Sequence, residues 1–261
     1  LRRLPLAELA DMKENETVKR IKARTDLSID LFVHVVTTPK EKNYDTIYKQ
    51  VNVLNDHFGP GGITFRLKRV DWTFDAVWAA GDSGTAMKRA LHRGNNMTAN
   101  LYVLDSVAAG LGICSFPWNL DEADGPIQDG CIVEASTLPG GGKVHYDQGK
   151  TAVHEMGHWL GLLHTFHNGC DGDGDHIDDT PATDGPAFRC PVGRDSCPDR
   201  PGLDPVHNLM DFSYERVAFL IVVEDVFTDH VAVPAPRSSR PGSSRECIIC
   251  GQDTAHYRFP L

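Results

Sequence analysis

The chain has 261 residues, a formal net charge of −10, and apolar and charged fractions of 41% and 24%. These values are ordinary for a soluble globular protein that can bury a substantial core. The negative charge argues against nucleic acid or an anionic membrane as a partner. The longest apolar run, Val217 to Val223, is far shorter than the ~20 residues that cross a bilayer, so no membrane span is expected.

The hydrophobic pattern predicts alternating strands and helices after a charged lead-in over residues 1–28. Strands are predicted at residues 29–36, 63–70, 100–104, 112–116 and 131–135. Helices are predicted, from apolar positions at helical spacing, at residues 44–58, 83–92 and 148–163. A long helix packed on a twisted sheet is an α/β (α+β) layered fold, which we assign to an N-terminal sub-domain over residues 29–163.

The composition changes after residue 163. Residues 165–208 are rich in Asp, Gly, Pro and Cys and show little periodicity, so we predict a smaller irregular sub-domain over residues 164–214. We expect the active cleft between the two sub-domains, where pockets commonly form. The remaining tail, residues 215–261, contains a Pro/Ser/Arg-rich stretch at 234–245 whose composition is typical of disordered chain.

Seven cysteines are spread through the loop-rich parts of the sequence. This distribution indicates disulfides and therefore an oxidising compartment. The odd number leaves at least one cysteine unpaired within the chain. The first residue is leucine, so either a signal peptide has been removed or the sequence is a fragment.

The segment from His154 to His164 reads HEMGHWLGLLH. His154 and His158 lie one helical turn apart, so their rings can hold one ion, and Glu155 lies beside them, placed to reach a water on that ion. A straight helix would put His164 about 15 Å from His154, so the chain must turn, and Gly161 permits the turn. Three neutral imidazoles leave a fourth zinc position open, as in catalytic sites.

Two other interpretations compete with a catalytic zinc. An ordinary buried helix could carry spare histidines, but unpaired buried histidine and glutamate are costly. A structural zinc site would not need Glu155. We therefore favour peptide-bond hydrolysis in which Glu155 takes a proton from water and later gives it to the leaving amine. The strand over residues 112–116 is our choice for the edge along which an extended peptide lies.

An acidic loop follows the histidine motif and alternates carboxylates with small residues. The oxygen-bearing side chains that could bind a hard cation there are Asp171, Asp173, Asp175, Asp178, Asp179 and Thr180. Such ligands suit calcium, although the loop is not an EF-hand because it lacks the closing glutamate and the flanking helices. A solvated, turn-rich loop is the alternative.

The motif resembles that of the metzincin zinc metalloproteases. The longer string HEMGHWLGLLHTF is similar to the pappalysin family, above all to its secreted fungal and bacterial members. Other segments share the resemblance, which spans roughly residues 29–214. They are Leu111-Gly112 with Cys114, Asp129-Gly130-Cys131, Leu138-Pro139-Gly140-Gly141, Asp179-Thr180-Pro181, Gly193-Arg194-Asp195-Ser196-Cys197-Pro198 and Asn208-Leu209-Met210-Asp211.

The resemblance implies a metzincin-like fold, secretion, and endopeptidase activity on protein or peptide substrates. It implies one catalytic zinc bound by His154, His158 and His164, with Met210 of the family's Met-turn as an apolar floor beneath it. The disulfides implied by the family pattern are Cys114–Cys131 and Cys170–Cys197. The resemblance also strengthens the calcium hypothesis. We expect a monomer.

Departures from the family pattern keep a second hypothesis open, namely a catalytically impaired metzincin-like binding protein. Pappalysins usually carry a tyrosine two residues after the Met-turn methionine, where this chain has Phe212. Tyr214 is the nearest substitute for the missing hydroxyl group, although we expect it not to take that role. The tail also lacks the family's usual partner of Cys190, which is then free or paired with Cys247 or Cys250.

Overall fold

A computed structural model describes residues 27–38, 43–108 and 110–214. Five strands make one sheet: β1 Leu27–Thr37, β2 Ile63–Phe74, β3 Thr98–Leu104, β4 Gly112–Cys114 and β5 Cys131–Glu134. The α-helices are α1 Tyr44–Phe58, α2 Ala76–Ala79, α3 Gly84–Leu91, α4 Gly125–Gln128 and α5 Lys150–Trp159. Single 3₁₀ turns cover Gly59–Gly61, Pro117–Asp121 and Ala135–Thr137. Residues 1–26 of the predicted lead-in and the tail from residue 215 lie outside the described residues.

The strand order in the sheet is β2-β1-β3-β5-β4. β1 pairs in parallel with β2 and β3, and β3 pairs in parallel with β5, whereas β4 runs antiparallel to β5 at the edge. Every residue of β3 is buried, as expected for a parallel strand covered on both faces. Among the described residues, no strand pairs with the outer side of β4, and β4 is in contact with α5.

Alternate residues of the central strands pack into two separate cores. Leu31 and Leu101 point to the face that is covered by α1 and α5, which contribute Phe58 and Met156 among others. On the other face, Tyr102 packs with residues of α2 and α3. Period-2 alternation along a strand explains this division. Each fully buried Leu, Phe or Met side chain contributes about 1.5–3 kcal/mol to the stability of the fold. The predicted mixed α/β fold is thus confirmed.

Several predicted boundaries are wrong by one or two residues: β1 begins at Leu27 within the predicted lead-in, the strand predicted to residue 116 ends at Cys114, and the helix predicted from residue 148 begins at Lys150. The two largest errors have identifiable reasons. The last helix ends at Trp159 and does not continue to residue 163. Gly161 adopts φ +99°, and the N–H of Leu162 bonds back to the carbonyl of Gly157 at 2.9 Å, which closes the helix. β2 continues past residue 70 to Phe74, because it pairs with β1 as far as Thr37.

The residues after α5 are irregular, as their composition predicted. Among described residues 160–214 there is no helix or strand, apart from one bridge between Arg189 and Ser213. A disulfide and buried carboxylates hold this part together: Asp204 accepts from the N–H of Ser196 at 2.9 Å and pairs with Arg194 at 3.1 Å. No helix in the described part of the chain combines the length and apolar character that crossing a bilayer requires.

Candidate metal centre and active site

Three histidine side chains converge at the end of α5. The Nε2 atom of His164 lies 3.2 Å from Nε2 of His154 and 3.1 Å from Nε2 of His158. Among the described residues, this is the one group of three or more His, Cys, Asp or Glu side chains whose ligand atoms all lie within 4.8 Å of one another. His154 and His158 come from one face of α5, and the turn at Gly161 brings His164 back to them.

Backbone carbonyls fix the tautomers of two of these rings. Nδ1 of His154 donates to the carbonyl of Leu209, and Nδ1 of His158 donates to the carbonyl of Leu162 at 2.7 Å. A carbonyl oxygen can only accept, so each Nδ1 carries the proton and each Nε2 carries a lone pair. The two Nε2 lone pairs therefore face one small space.

This set of donors suits a zinc ion. A tetrahedral ion with Zn–N bonds of ~2.0–2.1 Å holds its ligand nitrogens about 3.3 Å apart, close to the observed separations of 3.1 and 3.2 Å. Burial, followed by the neighbouring rings, lowers the pKa of His154 to about 3 and that of His164 to about 4. Burial also lowers the pKa of His158. All three rings are therefore neutral near pH 7, which is the form that binds metal.

Glu155 lies between α5 and the edge strand β4, and its side chain is buried. A Cβ atom built on Gly112 would come within 2.6 Å of both Cγ and Oε1 of Glu155. A glycine at position 112 is therefore what lets the carboxyl group lie against β4. Burial raises the pKa of Glu155 to about 8. A cation nearby favours the ionised form, so a bound metal would restore the carboxylate that a general base requires.

Met210 packs against α5 at Gly157. Its side chain is 3% exposed, and its Sδ atom would lie only 2.7 Å from a Cβ atom on Gly157, between the two helix histidines. The turn that presents Met210 is closed by Asn208, whose side chain accepts from the Met210 N–H at 2.9 Å and whose carbonyl accepts from the Asp211 N–H at 3.0 Å. Met210 is thus buried against the part of α5 that lies between His154 and His158.

The ring of Phe212, not that of Tyr214, contacts the converging histidines. Its centroid lies 4.9 Å from that of His164 and 5.9 Å from that of His154. Tyr214 stacks on His145 at 4.1 Å and meets Tyr146 edge-on at 5.7 Å. The structure thus places Tyr214 in a second aromatic group and Phe212 at the metal centre.

Both disulfides implied by the family pattern are present. Cys114–Cys131 joins β4 to β5, and Cys170–Cys197 joins two parts of the irregular segment. Cys190 takes part in neither of them. Cys247 and Cys250 lie outside the described residues.

The sequence did not reveal the role of a buried carboxylate, Asp129, that contacts the end of α5. Asp129 accepts from Nε1 of Trp159 at 2.9 Å and from the hydroxyl of Ser115 at 3.3 Å, and it lies 3.3 Å from Nε2 of His92. It therefore ties the last residue of α5 to the residue that follows β4. The only signal in the sequence was the family-like segment Asp129-Gly130-Cys131, which gave Asp129 no role.

The acidic loop does not bring its carboxylates together. Asp171, Asp173, Asp178 and Asp179 are exposed, and none of the loop's carboxylates forms a group of three converging ligands in the described part of the chain. Asp175 differs, because it is 6% exposed and burial raises its pKa. Its carboxylate accepts from the N–H of Ile177 at 3.1 Å and from the side chain of Thr180.

Comparison with protein families and curated proteins adds independent findings. Residues 140–222 match the family Peptidase_M43, described as pregnancy-associated plasma protein-A. The chain is similar to an extracellular metalloprotease of Pyricularia oryzae, with 48% identity over 193 residues that cover 72% of this chain and 68% of the relative. It is also similar to an extracellular metalloprotease of Sordaria macrospora, with 43% identity over 201 residues that cover 75% of this chain and 70% of the relative.

Solved structures share the fold. Mirolysin in complex with a compound superposes with a TM-score of 0.65 at 25% identity, over 76% of this chain and 88% of that one. Mature mirolysin of Tannerella forsythia in complex with a cleaved peptide gives a TM-score of 0.63 at 24% identity, over the same shares of the two chains.

Proposed function

We propose a residue-level mechanism for this chain, which belongs to the Peptidase_M43 (pappalysin) family and is a zinc metalloendopeptidase. In this mechanism His154, His158 and His164 hold the catalytic zinc, and Glu155 is the general base. The observation that carries the proposal is the convergence of three Nε2 atoms: that of His164 lies 3.2 Å from that of His154 and 3.1 Å from that of His158. The buried Glu155 follows His154 directly in the sequence. Zinc and protein substrates are what the family implies.

The protein's own groups divide the work of hydrolysis. When bound, zinc lowers the pKa of a water toward ~7 and polarises the scissile carbonyl. Glu155 accepts the proton of the attacking water as the new C–O bond forms, and passes it to the amide nitrogen as the C–N bond breaks. The carbonyls of Leu209 and Leu162 keep the helix histidines in the tautomer that leaves Nε2 free to bind. Met210 supports the rings from below. Tyr214 takes no part in this mechanism.

The edge of β4 is the proposed binding site for the peptide backbone. β4 is the terminal strand of the sheet, and its Ile113 is 50% exposed. An extended peptide can pair with such an edge through backbone hydrogen bonds whatever its sequence. Glu155 lies against the same strand at Gly112, so a peptide on β4 would pass the general base. We place the cleft between residues 29–163 and residues 164–214.

Metal removal tests the proposed function. We expect the protein to cleave casein or gelatin, to lose this activity on treatment with a zinc-selective chelator, and to regain it when zinc is returned, because the reaction needs the ion. Gel analysis of the fragments measures the cleavage, and elemental analysis of the protein measures its zinc content. Cleavage that survives complete removal of zinc would contradict the proposal.

The second candidate, a catalytically impaired binding protein, has only Phe212 in its favour and is not favoured, because the relatives are named metalloproteases. The convergent histidines and the buried Glu155 favour activity, since a binding protein needs neither. No cleavage of any protein by the zinc-loaded chain would favour the second candidate.

We further propose that the protein is secreted and acts as a monomer. The names of its relatives and its two disulfides support secretion.

We propose that the acidic loop binds calcium around Asp175, whose buried carboxylate gains from a cation that offsets its desolvation. The protein is first stripped of metal and reloaded with zinc alone. Adding millimolar calcium should then raise its Tm by several degrees, since a ligand at a hundred times its Kd contributes about 2.7 kcal/mol. Asp175→Asn should lose this response, whereas Asp184→Asn, an exposed matched control, should keep it. An unchanged Tm in the wild-type protein would show that the loop binds no calcium.

A further inference from the structure

Three phenylalanines form a continuous surface against the third histidine of the metal centre. Phe166 stacks on His164 with ring centroids 4.7 Å apart, and Phe212 meets the same ring edge-on at 4.9 Å. Phe212 also contacts Phe166 at 5.2 Å and Phe188 at 6.1 Å. We call Phe166, Phe188 and Phe212 the aromatic wall.

The outer part of the aromatic wall is open to solvent. Phe188 is 61% exposed and Phe212 is 37% exposed, so part of each ring is left uncovered. Exposed apolar surface that continues directly from a reaction centre is characteristic of a ligand-binding site. A bound substrate would therefore cover the exposed part of these rings, which continues from His164 of the proposed zinc site.

The chain fixes the wall in place before any substrate arrives. Oδ1 of Asp211 accepts from the N–H of Ala187 at 2.8 Å and from the N–H of Phe212 at 2.8 Å. One carboxylate thus joins the segment that carries Phe188 to the turn that carries Phe212. The N–H of Tyr214 bonds to the carbonyl of Arg189 at 2.8 Å and extends the same connection. A pre-formed surface binds its ligand without the entropic cost of ordering.

The chemistry of the wall is selective. Its three rings offer apolar faces and no hydrogen-bonding atoms, so a bulky apolar side chain gains most from contact with them. Asp211 is 4% exposed, so its carboxylate does not stand on the surface that a substrate meets. A guanidinium group could still stack on a phenyl ring, and arginine is therefore the comparison that the experiment must include.

We propose that the aromatic wall binds a bulky apolar side chain of the substrate close to the scissile bond, so that the enzyme cuts preferentially beside residues such as Phe, Leu or Tyr. This inference rests on the proposed peptidase function. It adds a substrate class, because neither the zinc site nor the backbone pairing along β4 distinguishes one side chain from another.

A degenerate peptide library, digested by the zinc-loaded protein and sequenced by mass spectrometry, identifies the flanking position with the strongest preference. Three peptides that differ only there, with Phe, Ala or Arg, then give kcat/KM values. We expect wild type to prefer Phe over Ala by about 10-fold or more, the selectivity that one large apolar contact supplies. Phe188→Ala should reduce this Phe/Ala ratio about 10-fold, and Phe188→Leu should reduce it less.

Phe74→Ala is the matched control, because Phe74 is a 50% exposed phenylalanine at the end of β2, the opposite edge strand from β4. It should leave the Phe/Ala ratio at its wild-type value. A wild-type library profile without apolar preference, a preference for Arg over Phe, or an unchanged ratio in Phe188→Ala would overturn the inference and leave the proposed function intact. A zinc-loaded wild type that cuts no peptide would overturn both.

Discussion

Replacing Glu155 with glutamine is expected to lower kcat by about 10²- to 10⁴-fold, the usual contribution of a general base. Glutamine has the shape of glutamate, so it fits in the same place against Gly112. It cannot accept a proton from the attacking water. The variant should therefore bind peptides and zinc while turning over slowly. Steady-state kinetics on a peptide substrate measure the loss.

Zinc content separates this effect from damage to the metal centre. The Glu155→Gln variant should hold as much zinc as the wild-type protein, because the three Nε2 ligands and the carbonyls of Leu209 and Leu162 that orient two of them are untouched. A variant that retains zinc and more than about a tenth of wild-type kcat would remove Glu155 from the role of base. Loss of zinc together with activity would instead make it a structural residue.

Local sequence spacing predicted the centre of the site because its geometry is local. Two histidines one turn apart must share a helix face, and a third histidine beyond a glycine can return only through a turn. The predicted bounds of the helix at Tyr44–Phe58 also match, since apolar periodicity and the Gly59-Pro60 stop act within the segment itself. The end of α5 was misplaced because Leu160, Leu162 and Leu163 continue the apolar pattern on both sides of Gly161, the glycine that stops the helix.

Contacts between distant parts of the chain could not be predicted in this way. Asp129 and Trp159 are 30 residues apart, and nothing in either local sequence indicates that one accepts a hydrogen bond from the other. The aromatic wall likewise joins Phe166, Phe188 and Phe212 through the carboxylate of Asp211, within a segment that lacks periodic structure. Tertiary packing decides such groupings, and hydrophobic pattern carries no information about them.

Replacing His164 with alanine is expected to remove the metal and, with it, all zinc-dependent activity. The loss of a ligand should exceed the 10- to 100-fold drop in affinity that follows loss of a mere supporting partner. Only His154 and His158 would remain, and two imidazoles leave half of the tetrahedron to solvent. Zinc per chain after dialysis, measured by elemental analysis beside peptide hydrolysis, tests the expectation.

His167→Ala is the matched control for this variant. His167 is an exposed histidine three residues further along the same loop and lies outside the converging group. Its replacement should leave zinc content and kcat/KM within about 2-fold of wild type, as is usual for surface substitutions away from a site. If His164→Ala kept stoichiometric zinc, two histidines and some other donor would have to hold the ion. The turn at Gly161 would then serve the fold and not the metal.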